Sequence, residues 1–170
     1  SSAASDVYKR QIIARTRMIL LYAYANSLGG LVLGTGDKSE ILIGYFTKYG
    51  DGGVDILPIG DLYKTQVRRL ARIVGVPSRI AEKPSSPRLW SGHLAEEELG
   101  LTYDTIDAIL YAIFQMGLNP GDVGRVRGIT PRDVEIVLNR NRASQHKRVP
   151  PPIPKIQPEK ISLEDLLRGV

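Results

Sequence analysis

Between Thr35 and Lys64 lies the densest run of side chains able to do chemistry: Thr35, Asp37, Glu40, Lys48, Asp51, Asp55 and Lys64. A threonine hydroxyl with loop N–H groups can orient a nucleotide, and lysines neutralise phosphoryl oxygens as charge develops in transfer. A carboxylate near a strand end, Glu40 or Asp37, can hold Mg²⁺ together with ligand phosphates, because this hard ion takes oxygen ligands and keeps several waters. No side chain in the run has the adjacent base of a covalent nucleophile. Each residue also has a plainer role. Asp37 could cap the helix after it, Glu40 and Lys64 could be solvated surface charges, and Gly34-Thr35-Gly36 lacks the third glycine of a dinucleotide fingerprint. Asp55 stands in an otherwise apolar run, so its carboxylate must face solvent or find a partner. His146-Lys147-Arg148, just ahead of a proline run, reads from composition as a basic linker.

The elements that must position these groups can be read from periodicity. Met18, Leu21, Tyr22 and Ala25 repeat at helical spacing within a predicted helix over 13–25, which Gly29-Gly30 ends. Leu31 to Gly34 and Val54 to Ile59 read as short buried strands, the second with Pro58 marking an end or edge. Between them, 37–44 reads as a short helix and 45–53 as a polar, glycine-rich loop. Asp61 is the expected cap of a helix in which Val67, Leu70, Ala71 and Val74 form the apolar stripe, stopping before Gly75-Val76-Pro77. Residues 83–92 (KPSSPRLWSG) form a loop long enough to be a functional flap. Thr102 opens a helix with Ile106, Ile109, Leu110 and Ile113 facing inward, and Thr130-Pro131 starts another. Five prolines between Pro150 and Pro158 predict an extended linker, with a short terminal helix around Leu163 to Leu167.

Helix and strand alternate over the first half, which predicts α/β architecture built on a parallel sheet, and the chain turns helical toward its end. Two strands make a poor parallel sheet, since such sheets are normally covered on both faces, so further strands are expected upstream of residue 1. A length of 170 residues suits about one domain. Its 42% hydrophobic and 24% charged residues exclude disordered, collagen-like and disulfide-scaffold classes. The net charge of +5 favours anionic partners, but with aromatics at only 6% and basic residues spread out, small phosphorylated ligands fit better than nucleic acid. The longest apolar run, 18–25, falls far short of a membrane span, and no cysteine is present, which is compatible with a reducing cytoplasm. Any metal must then sit on carboxylates or the two histidines.

Several separated blocks carry a more specific signal. LVLGTGDKSEILIGYFTKYGDGGVDILPIGDLYKTQ over 31–66, ARTRM over 14–18, ELGLTYDTID over 98–107 and QHKR over 145–148 together resemble the ammonia-dependent NAD⁺ synthetases of the ATP-pyrophosphatase superfamily. The resemblance runs over roughly residues 12–152 and implies an adenine-nucleotide alpha-hydrolase-like (Rossmann-like) parallel sheet with flanking helices. It also implies a reaction: the carboxylate of deamido-NAD attacks the α-phosphate of ATP, pyrophosphate leaves, and ammonia, free or released from glutamine by a glutaminase, displaces AMP to give NAD⁺. On matching positions Thr35, Lys64 and Ser86 resemble the family's ATP contacts and Glu40 its Mg²⁺ ligand, while Arg15, Lys48, Asp55, His146 and Lys147 resemble its deamido-NAD contacts. A cytoplasmic homodimer is implied, with ATP as co-substrate and neither nucleic acid nor membrane as partner.

The departures are equally specific. The family's SGGxDS pyrophosphate loop occurs nowhere in this chain, and Pro87-Arg88 and His93-Leu94-Ala95 depart from the family's flap. Residues 1–11 (SSAASDVYKRQ) match nothing in the family and resemble translated adapter sequence. The expected organisation is therefore a non-native extension over 1–11, a truncated synthetase domain over 12–148 and a proline-rich tail over 149–170, with impaired activity. The alternative is a non-catalytic nucleotide-binding or interaction fragment, and an amidating ligase for a different acid is disfavoured by YFTKYGDGGVD and QHKR.

Overall fold

The computed structural model describes residues 2–86, 92, 94–156 and 162–168. A long first helix, α1 (Ser2–Ser27), gives way at Gly29, whose φ of 62° lets the Gly30 N–H reach back to the Ala25 carbonyl at 2.8 Å. It contains the predicted helix over 13–25. Its stripe is only partly packed: Ala14 is buried and Met18, Tyr22 and Ala25 are half-buried, but Leu21 is 54% exposed, which corrects its assignment to a core.

The two predicted strands meet in parallel, but among the described residues their ladder shrinks to one bridge, Leu33 with Ile56. The Val32 carbonyl accepts from the Asp55 and Ile56 N–H groups, and the Ile56 carbonyl from Gly34 N–H at 2.8 Å. Pairing stops there because Gly34 leads into the Gly34-Thr35-Gly36 turn and Pro58 has no N–H to offer. Gly34 is required by close approach: a Cβ there would lie 2.6 Å from Val54 Cγ2 and 2.7 Å from Leu57 Cδ2.

The first half of the chain also holds three short helices, α2 (Lys38–Ile43), α3 (Lys64–Ile73) and α4 (Ser78–Ala81). Asp37 caps α2 as expected, in a reciprocal box with Glu40. Asp61 does not cap α3. The helix begins after Tyr63, and the Asp61 side chain lies in solvent and pairs with Lys38 Nζ at 3.0 Å. Of the predicted α3 stripe, Val67 and Ala71 are half-buried, whereas Leu70 and Val74 are exposed.

The core lies in the second half. Helices α5 (Ala95–Leu99), α6 (Tyr103–Leu110), α7 (Pro120–Val123) and α8 (Pro131–Ala143) pack with α2, and α6 runs on through a π-turn, Tyr111–Gln115. Thr102 and Thr130 cap α6 and α8 by accepting from the Thr105 and Asp133 N–H groups, as their spacing predicts. Ile106, Ile109 and Leu110 are fully buried with Tyr103, Val123 and Val137, while Ile113 is partly buried against them. After α8 a single 3₁₀ turn, Gln145–Lys147, leads into an irregular proline-rich stretch, and α9 (Leu163–Leu167) matches the predicted terminal helix. The flap departures at Pro87, Arg88 and His93 lie outside the described residues.

Candidate functional site

Two groups of the sequence-singled residues come together, and they differ in what holds them. The first surrounds the start of α2. Asp37 Oδ1 accepts the Glu40 N–H at 3.0 Å and Glu40 Oε2 accepts the Asp37 N–H at 3.2 Å, which leaves Asp37 Oδ2 and Glu40 Oε1 facing the same point. The Lys64 ammonium fills it, 2.6 Å from Asp37 and 2.7 Å from Glu40, with the Tyr103 ring 5.2 Å away. Burial and the Asp37 charge push the Glu40 carboxyl above its ordinary range. Burial alone would lower the Lys64 pKa, yet the charges of Glu40 and Asp37 outweigh it and hold the ammonium above the ordinary lysine value. Lys64 is therefore a fixed cation at neutral pH. Thr35 stands exposed in the turn just before this cap, and Ser86 is half-buried at the edge of the flap.

The second group links α1, the 45–53 loop and the turn after α8. Arg15 Nε donates to the Lys48 carbonyl at 3.4 Å, and Lys48 Nζ to the His146 carbonyl at 2.6 Å. Lys147 Nζ donates to the carbonyls of Gly44 and Phe46, both at 2.8 Å, and burial lowers its pKa. The His146 side chain is exposed. Asp55 stands apart from both groups: its carboxylate accepts from Val32 N–H at 2.8 Å and Tyr22 O–H at 3.1 Å, so the charge has found the partners its position demanded.

Sequence reasoning passed over three residues that organise these groups. Arg148 donates to the carbonyls of Ile41, Leu42 and Asn141 and to Ser144 Oγ, clamping the end of α2 onto α8. Ser39, fully buried, accepts the Lys64 N–H at 2.9 Å, and Asp107 accepts both the Ser39 hydroxyl and the Thr65 N–H. One signal was available for Asp107: it falls on the apolar face of α6 marked by Tyr103, Ile106 and Leu110, where a carboxylate must have partners.

Magnesium can be tested against these donors. Among the described residues no three His, Asp or Glu side chains converge on one point. An ion that takes one or two carboxylates and completes its shell with phosphates and water would use Glu40, the more exposed of the two, whose Oε1 is paired with Lys64 and whose Oε2 accepts the Asp37 N–H.

A parallel bridge that ends in a glycine-bearing turn, with the Lys64 ammonium held at the cap of the next helix, is the frame of this chain, and solved α/β structures share its shape. NMN synthetase from Francisella tularensis superposes with a TM-score of 0.76 at 36% identity, covering 91% of this chain and 60% of its own. The NH3-dependent NAD synthetase of Campylobacter jejuni gives 0.66 at 31%, covering 85% and 54%. The family description "NAD synthase" matches residues 1–151, and the chain belongs to that family. The NH(3)-dependent NAD(+) synthetase of Hyperthermus butylicus is 62% identical over 146 residues, and that of Staphylothermus marinus 57% over 143. These alignments take in 86% and 84% of this chain, which spans about half the length of the curated relatives it matches, 53% and 52%.

Proposed function

We propose that the chain supplies the ATP- and deamido-NAD-contacting part of an ammonia-dependent NAD⁺ synthetase. The observation that carries the reading is the Lys64 ammonium, fixed between Asp37 and Glu40 beside the Gly34-Thr35-Gly36 turn in a chain of this family. In the reaction, a carboxylate oxygen of deamido-NAD attacks the α-phosphorus of ATP and pyrophosphate leaves. Ammonia then adds to the acyl carbon, AMP departs and a proton is lost, leaving the amide. Lys64 neutralises phosphate oxygens as charge shifts toward the leaving pyrophosphate, and Thr35 and Ser86 orient the nucleotide. Magnesium, held by Glu40 with the phosphates, would supply charge neutralisation. Arg15, Lys48, Asp55, His146 and Lys147 are assigned to deamido-NAD. Lys147 and Lys48 already donate to backbone carbonyls, so their share is to shape the pocket wall and offer the donor positions those carbonyls leave free.

The reading includes a homodimer through α1, whose Ile19, Leu20 and Tyr24 are exposed apolar side chains, and a cytoplasmic setting. No helix of the described residues is long and apolar enough to cross a membrane.

The test is a titration of the chain with MgATP and, separately, with deamido-NAD and nicotinic acid mononucleotide. Binding of ATP and preference for the dinucleotide are expected, with Lys64→Ala weakening ATP binding. Preference for the mononucleotide would move the reading to the NMN-forming class that the Francisella neighbour's name describes. No binding of either substrate would leave an interaction fragment. Joined to the segment that carries SGGxDS in a relative, the chain is expected to form NAD⁺ with release of AMP and pyrophosphate.

A further inference from the structure

We propose that Asp107 is a positioning residue, acting with Ser39 to set the Lys64 ammonium against the phosphate-binding edge. The proposal rests on the reading of Lys64 as an ATP contact. Tyr63, the residue at the cap position of α3, makes no side-chain cap bond to the first turn. Gln66 Oε1 accepts the Tyr63 N–H from within α3, and the first two N–H groups of the helix are met from other helices. Ser39 Oγ, on α2, accepts from Lys64 N at 2.9 Å, and Asp107 Oδ2, on α6, accepts from Thr65 N at 2.8 Å. Asp107 Oδ1 accepts the Ser39 hydroxyl hydrogen, which closes the circuit. One carboxylate thus ties three helices at a single point.

The location of that point matters in two ways. Lys64 is the first residue of α3 and Ser39 precedes Glu40, so the circuit fixes the backbone of the ammonium and the backbone of its carboxylate partner relative to each other. A lysine on a four-carbon stem has large rotamer freedom, and fixing its Cα is the economical way to aim it. The carboxylate itself is only 5% exposed, and desolvation is costly for a charge that could have been a neutral residue of the same shape. Three things offset that cost: two donated hydrogen bonds and the positive end of α3. An asparagine would keep the shape but turn an NH2 group toward either the Ser39 hydroxyl or the Thr65 N–H, both of which donate here, so the circuit calls for an acceptor-only group.

The experiment uses the full chain in four forms: unaltered, Lys64→Ala, Ser39→Ala and Asp107→Asn. ATP and deamido-NAD dissociation constants are measured separately, with amide hydrogen exchange at Lys64 and Thr65. Thr130→Ala, which loses a cap on α8 far along the chain from this circuit, serves as a general-destabilisation control. Ser39→Ala and Asp107→Asn are expected to weaken ATP binding roughly tenfold, the order of one lost hydrogen bond at a charged contact, while leaving deamido-NAD unchanged and speeding exchange at both amides. The control should move neither ligand. If Lys64→Ala weakens ATP binding but Ser39→Ala and Asp107→Asn do not, the positioning role is overturned while the ATP reading stands. Equal weakening of both ligands would show that the circuit is merely structural. If Lys64→Ala itself leaves ATP binding intact, the ATP reading fails and takes the positioning role with it. Should Asp107→Asn not fold, Ser39→Ala decides the question alone, since it removes one hydroxyl and no charge.

Discussion

The apolar stripes of α6 and α3 are written in the same periodic code, yet only that of α6 is fully covered. On α6, Ile106, Ile109 and Leu110 are buried to within 1% and pack with Tyr103, Val123 and Val137. Across α3 and the bridge before it, Leu33 is 62% exposed and Ile73 72%, with Leu70 and Val74 also in solvent. Periodicity therefore states which face needs burial and is silent on what buries it. The two regions meet where the candidate site is: α2 and α6 belong to the packed half, and α3 delivers Lys64 from the exposed half through polar contacts to Asp37, Glu40, Ser39 and Asp107.

The sharpest way to break this comparison is to shave one side chain in each region. Ile109→Ala is expected to cost about 2–5 kcal/mol by lost transfer energy and a residual cavity, whereas Ile73→Ala, already in water, should cost less than about 1 kcal/mol. Urea unfolding at one pH measures both, and equal costs would show that the two regions are equally packed in solution. Next in size is Gly44→Ala, where α2 meets α8. A Cβ there would lie 2.0 Å from Ser144 Cβ at a φ of 68°, so the helices must separate and the backbone must bear a left-handed alanine. A loss of about 1–3 kcal/mol is expected, with Ser144→Gly restoring part of it because the clash goes and the dihedral cost stays. No recovery in the double variant would locate the whole penalty in the backbone.

What could be read from the residues and what could not divides by the sequence distance of the partners. The caps of α2, α6 and α8 were legible because Asp37, Thr102 and Thr130 bond within three residues of themselves. Asp61 is the wrong cap for α3 because the acceptors that meet its first two N–H groups are nonlocal, Ser39 25 residues away and Asp107 42. Arg148 was passed over as part of a basic linker for the same reason: its carbonyl partners on α2 lie more than 100 residues back. Lys64 and Glu40 stand out by residue chemistry and take their specific roles from the family resemblance, but their pairing with Asp37 needs the fold. The short strands were overdrawn, since a run of branched residues reads as a strand whether or not neighbours extend its ladder.

The smallest expected effect probes the ion pair at the seam itself. Lys64 keeps its proton more tightly when folded than when unfolded, because Glu40 and Asp37 outweigh the burial that opposes them. As pH rises past the ordinary lysine value of 10.5, the unfolded chain loses that proton first. The folded state then binds more protons than the unfolded one, so stability falls with pH until the raised folded pKa is passed. Below 10.5 the contribution is fully present. Tyr45 and Tyr103 are also raised by burial and lose stability in the same direction, so the slope of the unaltered chain alone does not isolate Lys64. The difference between the unaltered chain and Lys64→Met does. That difference in Tm should be constant from about pH 7 to 9 and shrink as pH climbs beyond 10.5. A difference that stays constant to about pH 12 would mean that Lys64 is held by its stem rather than its charge, and that the packed and exposed halves are joined by something other than this ion pair.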